Sequence, residues 1–147
     1  MGHINLYTIG FTQKNAETFF TLLKNSGIKN IIDIRLNNVS QLAGFTKRDD
    51  LKYFLHELCD CEYRHEPSLA PTKEILDGYK NKKIGWNQYK IKFNKLLKNR
   101  KAELILTPEE IDNACLLCSE PTSENCHRRL VAEFMKEHIN DIKITHL

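Results

Sequence analysis

The stretch LYTIGFTQKNAETFFTLLKNSGIKNIIDIR, residues Leu6 to Arg35, decides the fold. Leu6 to Ile9 is a short apolar, β-favouring run closed by Gly10. Ala16, Phe19, Phe20 and Leu23 then recur at helical spacing and share one face, and Ser26-Gly27 reads as a C-cap. Ile28 to Ile34 is a second strand, rich in β-branched residues, that ends in Asp33-Ile34-Arg35.

The same rhythm continues outward. Leu51, Phe54, Leu55 and Leu58 mark a second helix, and Cys61 to His65 a third strand. Pro67 and Pro71 bound a loop, after which Thr72 reads as the N-cap of a helix carrying Ile75, Leu76 and Tyr79. Trp86, Tyr89, Phe93, Leu96 and Leu97 lie on one helical face, a stripe read as core rather than as a base-stacking platform. Ala114 to Leu117 is a short buried strand, and Leu130, Val131, Phe134 and Met135 form the apolar face of a last long helix. Ile142 and Ile144 give a final edge strand. No repeat, low-complexity tract or interdomain linker interrupts the pattern.

The alternation predicts a single α/β domain over residues 1–147: a mostly parallel sheet with helices on both faces, in Rossmann-like or flavodoxin-like layering. Ligands of such sheets gather at the carboxyl ends of the strands. Those ends carry Gly10-Phe11-Thr12, Arg35 with Asn37, and Cys118-Ser119-Glu120, which should converge on one rim.

Hydrophobic residues make up 41% and charged residues 28% of the 147, an ordinary balance for a chain that folds around a core. No apolar run approaches the roughly 18 residues needed to span a bilayer, and no signal-peptide core stands at the N-terminus. The expectation is a cytoplasmic protein with no membrane partner. With five cysteines, free thiols are expected rather than disulfides. Nine of the twenty-two Lys and Arg residues fall between Gly78 and Ala102, a segment without Asp or Glu. The remainder holds thirteen basic against nineteen acidic residues, a net of −6. Such a block suits a polyanion, and its plain alternative is a solvated helix exterior.

The segment LLCSEPTSENCHRRL, Leu116 to Leu130, concentrates the chemistry. Asn125 as N-cap would place Cys126, His127 and Arg128 in the first turn of the last helix, where unpaired N–H groups and the helix dipole favour an anion. Arg128, with Arg129 beside it, would add contacts that phosphate or carboxylate prefers. Cys115, Cys118, Cys126 and His127 also have a zinc-like spacing, C-x2-C-x7-C-H. Two features oppose that set: strand residues three apart point to opposite faces, and an adjacent Cys-His pair fits one small site poorly. A thiol nucleophile, Cys118 or Cys126 with His127 as base, is a further option. Neither cysteine lies in the C-x5-R loop of a tyrosine-phosphatase type of site.

The chain resembles the family of small bacterial and archaeal proteins catalogued as domain of unknown function 488. The resemblance rests on Thr8-Ile9-Gly10, Asp33-Ile34-Arg35, and Leu117-Cys118-Ser119-Glu120 followed by Cys126-His127-Arg128. The segment Pro67 to Lys73, with Trp86 and Tyr89 after it, is similar to one branch. Family members often carry His then Ser where this chain has Phe11 and Thr12, so no histidine role transfers there. The resemblance implies a compact α/β fold with its polar motifs on one rim, and no particular reaction.

The expected function is a hydrolase or group transferase acting on a phosphate-bearing substrate such as a nucleotide or nucleic-acid component. Gly10, Thr12, Arg35, Ser119, Cys126 and Arg128 are the candidate anion-binding residues. Glu120, His127 and Cys118 are the candidate catalytic residues, Glu120 being the carboxylate beside the cluster. Redox chemistry is disfavoured, because no Gly-x-Gly-x-x-Gly follows the first strand. No metal or cofactor is assigned, and the partners are an anionic small molecule or nucleic acid. The rivals are a non-catalytic nucleic-acid-binding module using the lysine-rich segment 78–102, and a zinc-stabilised adaptor. In the leading reading Arg35 and Arg128 hold one anion together; in its structural alternative an arginine pairs with Asp33 or Glu120.

Overall fold

In the computed structural model, which describes residues 3–38, 44–119 and 124–147, the chain forms one parallel sheet with helices on both faces. In order the elements are β1 (Ile4–Gly10), α1 (Ala16–Asn25), β2 (Asn30–Asp33), α2 (Arg48–Cys59) and β3 (Glu62–His65). They continue with α3 (Lys73–Lys80), α4 (Trp86–Asn99), α5 (Pro108–Ile111), β4 (Ala114–Cys118), α6 (His127–His138) and β5 (Ile142–His146). The sheet runs β3-β2-β4-β1-β5, and every strand pairing is parallel. The layering is the expected one. The strand order is neither the Rossmann nor the flavodoxin order.

Local signals explain the starts of three helices. The Asn15 side chain accepts the Thr18 N–H ahead of α1, and Gly27, at φ +68°, turns the chain after it. Thr72 caps α3 by accepting the Ile75 N–H. Thr107 and Glu110 form a reciprocal capping box that starts the short α5. The N-cap expected at Asn125 is instead Cys126, which makes no side-chain capping bond, so α6 begins at His127. Cys126 is pinned by its sulfur to the end of β4, and this attachment rather than a polar cap sets where the helix starts.

Strand alternation sorts the core into two layers. Ile9, Ile31, Cys115 and Leu117 face α1 and α2, where they meet Phe19, Phe20, Leu23, Leu51 and Leu55. Leu6, Ile32, Leu116 and Cys118 face α4 and α6, where they meet Phe93, Leu97, Leu130 and Val131. Tyr89 and Phe93 of α4 are buried, with Trp86 stacked on Tyr89, so the aromatic stripe is core as the periodicity predicts. Lys92, Lys95 and Lys98 occupy its solvent side.

β4 lies between β2 and β1. The chain leaves β1 and β2 toward helices on one face, and leaves β4 toward α6 on the other. Adjacent strands whose connections diverge in this way open a crevice at their carboxyl ends.

Candidate functional site

A cleft of about 540 Å³ occupies that crevice. Phe11 follows β1, Arg35 follows β2, Ser119 follows β4, and Cys126 and His127 open α6, and all five line the cleft. The opposite wall comes from α3 and α4 through Lys73, Tyr79, Lys80 and Tyr89. Hydrogen bonds tie the strand ends and the start of α6 together. Thr12 N–H donates to the Ser119 carbonyl at 3.0 Å, and Ile34 N–H to the Leu117 carbonyl at 3.1 Å. The His127 ring donates from Nε2 to the Ile34 carbonyl at 2.7 Å.

Arg35 is part of a buried polar knot. Its Nε and Nη2 donate to the two oxygens of Asp33 at 2.9 and 2.8 Å, and Nη2 also reaches the Thr46 carbonyl at 2.7 Å. Asp33 is fully buried and also accepts the Tyr63 hydroxyl at 2.6 Å and the Arg35 backbone N–H at 3.1 Å. Asn38 completes the group by donating to the Tyr63 oxygen at 3.0 Å. Burial, with the bond to Asp33, raises the Tyr63 pKa well above the ordinary phenol value. Arg35 thus forms the Asp33 pair that the sequence offers as the structural alternative, while still lining the cleft.

Arg128 is wholly buried, so it presents no surface to the cleft. It sits in the first turn of α6, whose inner side packs on the sheet. Its charge, after burial, contributes to lowering the pKa values of Lys14 and His146. Burial pushes the His127 imidazole down to about 4, and Arg128 adds to that, so the ring is neutral at neutral pH. Gly10 is buried in the ladder opposite Cys118, and Thr12 reaches the site through its backbone bond to Ser119. Glu120 lies outside the described residues.

The expectation of free thiols holds for Cys59, Cys61 and Cys115 and is corrected for Cys118 and Cys126, which are joined sulfur to sulfur. The chain brings them together because β4 ends at one and α6 starts from the other. Cys115 faces the α1–α2 layer, so the four-ligand zinc set of Cys115, Cys118, Cys126 and His127 does not assemble. Cys118, Cys126 and His127 do converge, which corrects the expectation that an adjacent Cys-His pair would fit one small site poorly: their ligating atoms lie within 4.8 Å of one another.

The sequence reading missed Lys73, Tyr79 and Lys80 as cleft residues, and Tyr63 and Asn38 as members of the polar knot. In the sequence that segment reads only as a loop followed by a capped helix start at Thr72. Arg100, counted in the basic block, is not a solvated charge. Its Nη1 donates to the Ser68 and Ala70 carbonyls at 2.6 and 2.7 Å, which fastens the loop before α3 to the end of α4.

Residues 15–135 match the family described as domain of unknown function DUF488, and the chain belongs to that family. The matched span holds Arg35 and the Cys126-His127-Arg128 turn, while β1 precedes it. Comparisons with curated proteins and with solved structures give no match. Among the described residues, no helix is long and apolar enough to cross a membrane.

Proposed function

We propose that this member of the DUF488 family is a cytoplasmic hydrolase or group transferase that holds a phosphate-bearing substrate, a nucleotide or nucleic-acid component, in the rim cleft. The observation that carries the reading is the make-up of the lining: Lys73, Lys80 and Arg35 stand beside the rings of Phe11, Tyr79 and Tyr89 at the start of α6. A phosphate seeks cations and helix N-terminal N–H groups, and a nucleobase seeks ring faces. One wall supplies the lysines and the tyrosine rings, and the facing wall Arg35, Phe11 and the helix start. Asp77 is the one carboxylate among the described lining residues. The volume lies within the range of small-molecule sites. In this reading Glu120, next to Ser119 in sequence, is the general acid or base, and Arg35 contributes charge from its place in the Asp33 pair.

The test is calorimetry with inorganic phosphate and nucleoside mono-, di- and triphosphates, followed by product analysis with any ligand that binds. Binding should be lost in the Lys73→Glu and Lys80→Glu variants, and Glu120→Gln should bind without turnover. A protein that binds none of these, yet holds single-stranded nucleic acid with steep salt dependence through Lys90, Lys92, Lys95 and Lys98, would instead be a binding module.

A further inference from the structure

We propose that Cys118, Cys126 and His127, with the two cysteines reduced, form a binding site for a zinc-type divalent ion whose remaining coordination position opens into the rim cleft. The three ligating atoms already lie within 4.8 Å of one another. A tetrahedral ion, with bonds of about 2.3 Å to sulfur and 2.0–2.1 Å to nitrogen, holds its ligands roughly 3.5–3.8 Å apart, so reduction must let the bonded sulfurs part to that spacing while the ring nitrogen needs to close in by no more than roughly 1.3 Å. The Cα atoms of Cys118 and Cys126 are 7.7 Å apart. Directly bonded cysteines usually span roughly 4.4–6.8 Å, and an ion between the sulfurs takes up the greater distance.

The histidine has the tautomer that the task requires. A carbonyl can only accept, so the 2.7 Å bond to Ile34 places the ring proton on Nε2 and leaves the Nδ1 lone pair to be offered. A second nitrogen donating to a backbone carbonyl is how metal-binding histidines are commonly held. Phe93, edge-on at 5.7 Å between ring centres, packs against the imidazole. Two sulfurs and one nitrogen select zinc-like ions over magnesium or calcium. Cys126 and His127 line the cleft and Cys118 is buried behind them, so an ion bound there faces the cleft with three protein ligands. Three ligands and an open position are the arrangement of catalytic rather than structural zinc.

The chemistry balances. A trialkylphosphine reduces the pair, taking the oxygen of one water as its oxide and leaving two thiols, and the entering ion displaces both thiol protons. The site does not rest on the phosphate reading, because an ion can bind with no anion present.

The experiment adds cobalt(II) to phosphine-reduced protein and records the absorption spectrum. One cobalt per chain is expected, with thiolate-to-cobalt charge transfer and the visible bands of tetrahedral coordination. Cys118→Ser and Cys126→Ser should each abolish the charge-transfer band, and His127→Gln should weaken binding by at least about tenfold. Cys115→Ser should leave the spectrum unchanged. A reduced wild-type protein without these bands, or bands that survive both cysteine substitutions, overturns the proposal. Should the cysteine variants lose their helical circular dichroism, alkylation of the reduced wild type decides. Zinc should slow modification of Cys118 and Cys126 and not that of Cys59; equal rates with and without zinc refute the site. Failure of every phosphate ligand would leave these readouts unchanged.

Discussion

Cys115 and Cys118 lie on the same strand, yet the two ends of that short run enter different surroundings. Cys115, with Cys61, is sealed into the layer built from Phe19, Phe20, Leu51 and Leu55. Burial pushes the Cys61 thiol up to about 12 and that of Cys115 well above its usual value, so both stay protonated and inert. Cys118 points to the other face at the carboxyl end of the strand, where it meets Cys126 and His127 beside a cleft. Parity along the strand separates the two faces, and position along it separates core from rim. A cysteine count carries neither piece of information.

The contrast between a dry layer and a polar rim can be broken at several points. The largest effect is expected at Arg35. Replacing it with Met strands the fully buried Asp33 carboxylate, and urea unfolding should show a loss of about 3–5 kcal/mol. Unchanged or increased stability would mean that Arg35 serves a ligand rather than the fold. A smaller effect belongs to the sealed thiols. Their folded pKa values are raised, so the stability they contribute is complete below the unfolded thiol value near 9 and is lost as pH rises above it, for Cys61 toward about 12. Denaturant melts one pH unit apart within that window should differ by up to about 1.4 kcal/mol through Cys61, and by less in Cys61→Ala.

Cys115→Ala removes one small side chain from the dry layer and should cost about 1 kcal/mol in the same melts. A larger loss would mean that this layer relies on its thiols for more than filling. The smallest change in stability is expected at the cleft lysines. Lys73→Gln and Lys80→Gln should unfold within about 0.5 kcal/mol of the parent while weakening any nucleotide binding.

Elements with strong periodicity were legible in the sequence: the run from Leu6 to Arg35 gives β1, α1 and β2 with small shifts at the ends. The rim was legible too, because strand ends converge by topology, and Arg35, Ser119, Cys126 and His127 do meet. Side-chain direction was not. Arg128 is in the anticipated helical turn, yet it points inward, since the first turn of α6 packs its inner face on the sheet. Asn125 has the better capping chemistry, but attachment of Cys126 to Cys118 overrides local preference. Partners far apart in sequence, such as Tyr63 for Asp33 or the Ser68 carbonyl for Arg100, leave no local mark.

The sheet has two open margins, β3 on one side and β5 on the other. Backbone groups along such margins invite a strand from a neighbouring molecule, the first step of edge-to-edge aggregation. Both margins here bear charge. β3 carries Glu62 and Arg64, the latter held by Glu66 and Glu110, and β5 carries the exposed Lys143 between Ile142 and Ile144. A docking strand would have to desolvate those charges, so the same residues that finish the sheet also keep separate molecules from extending it.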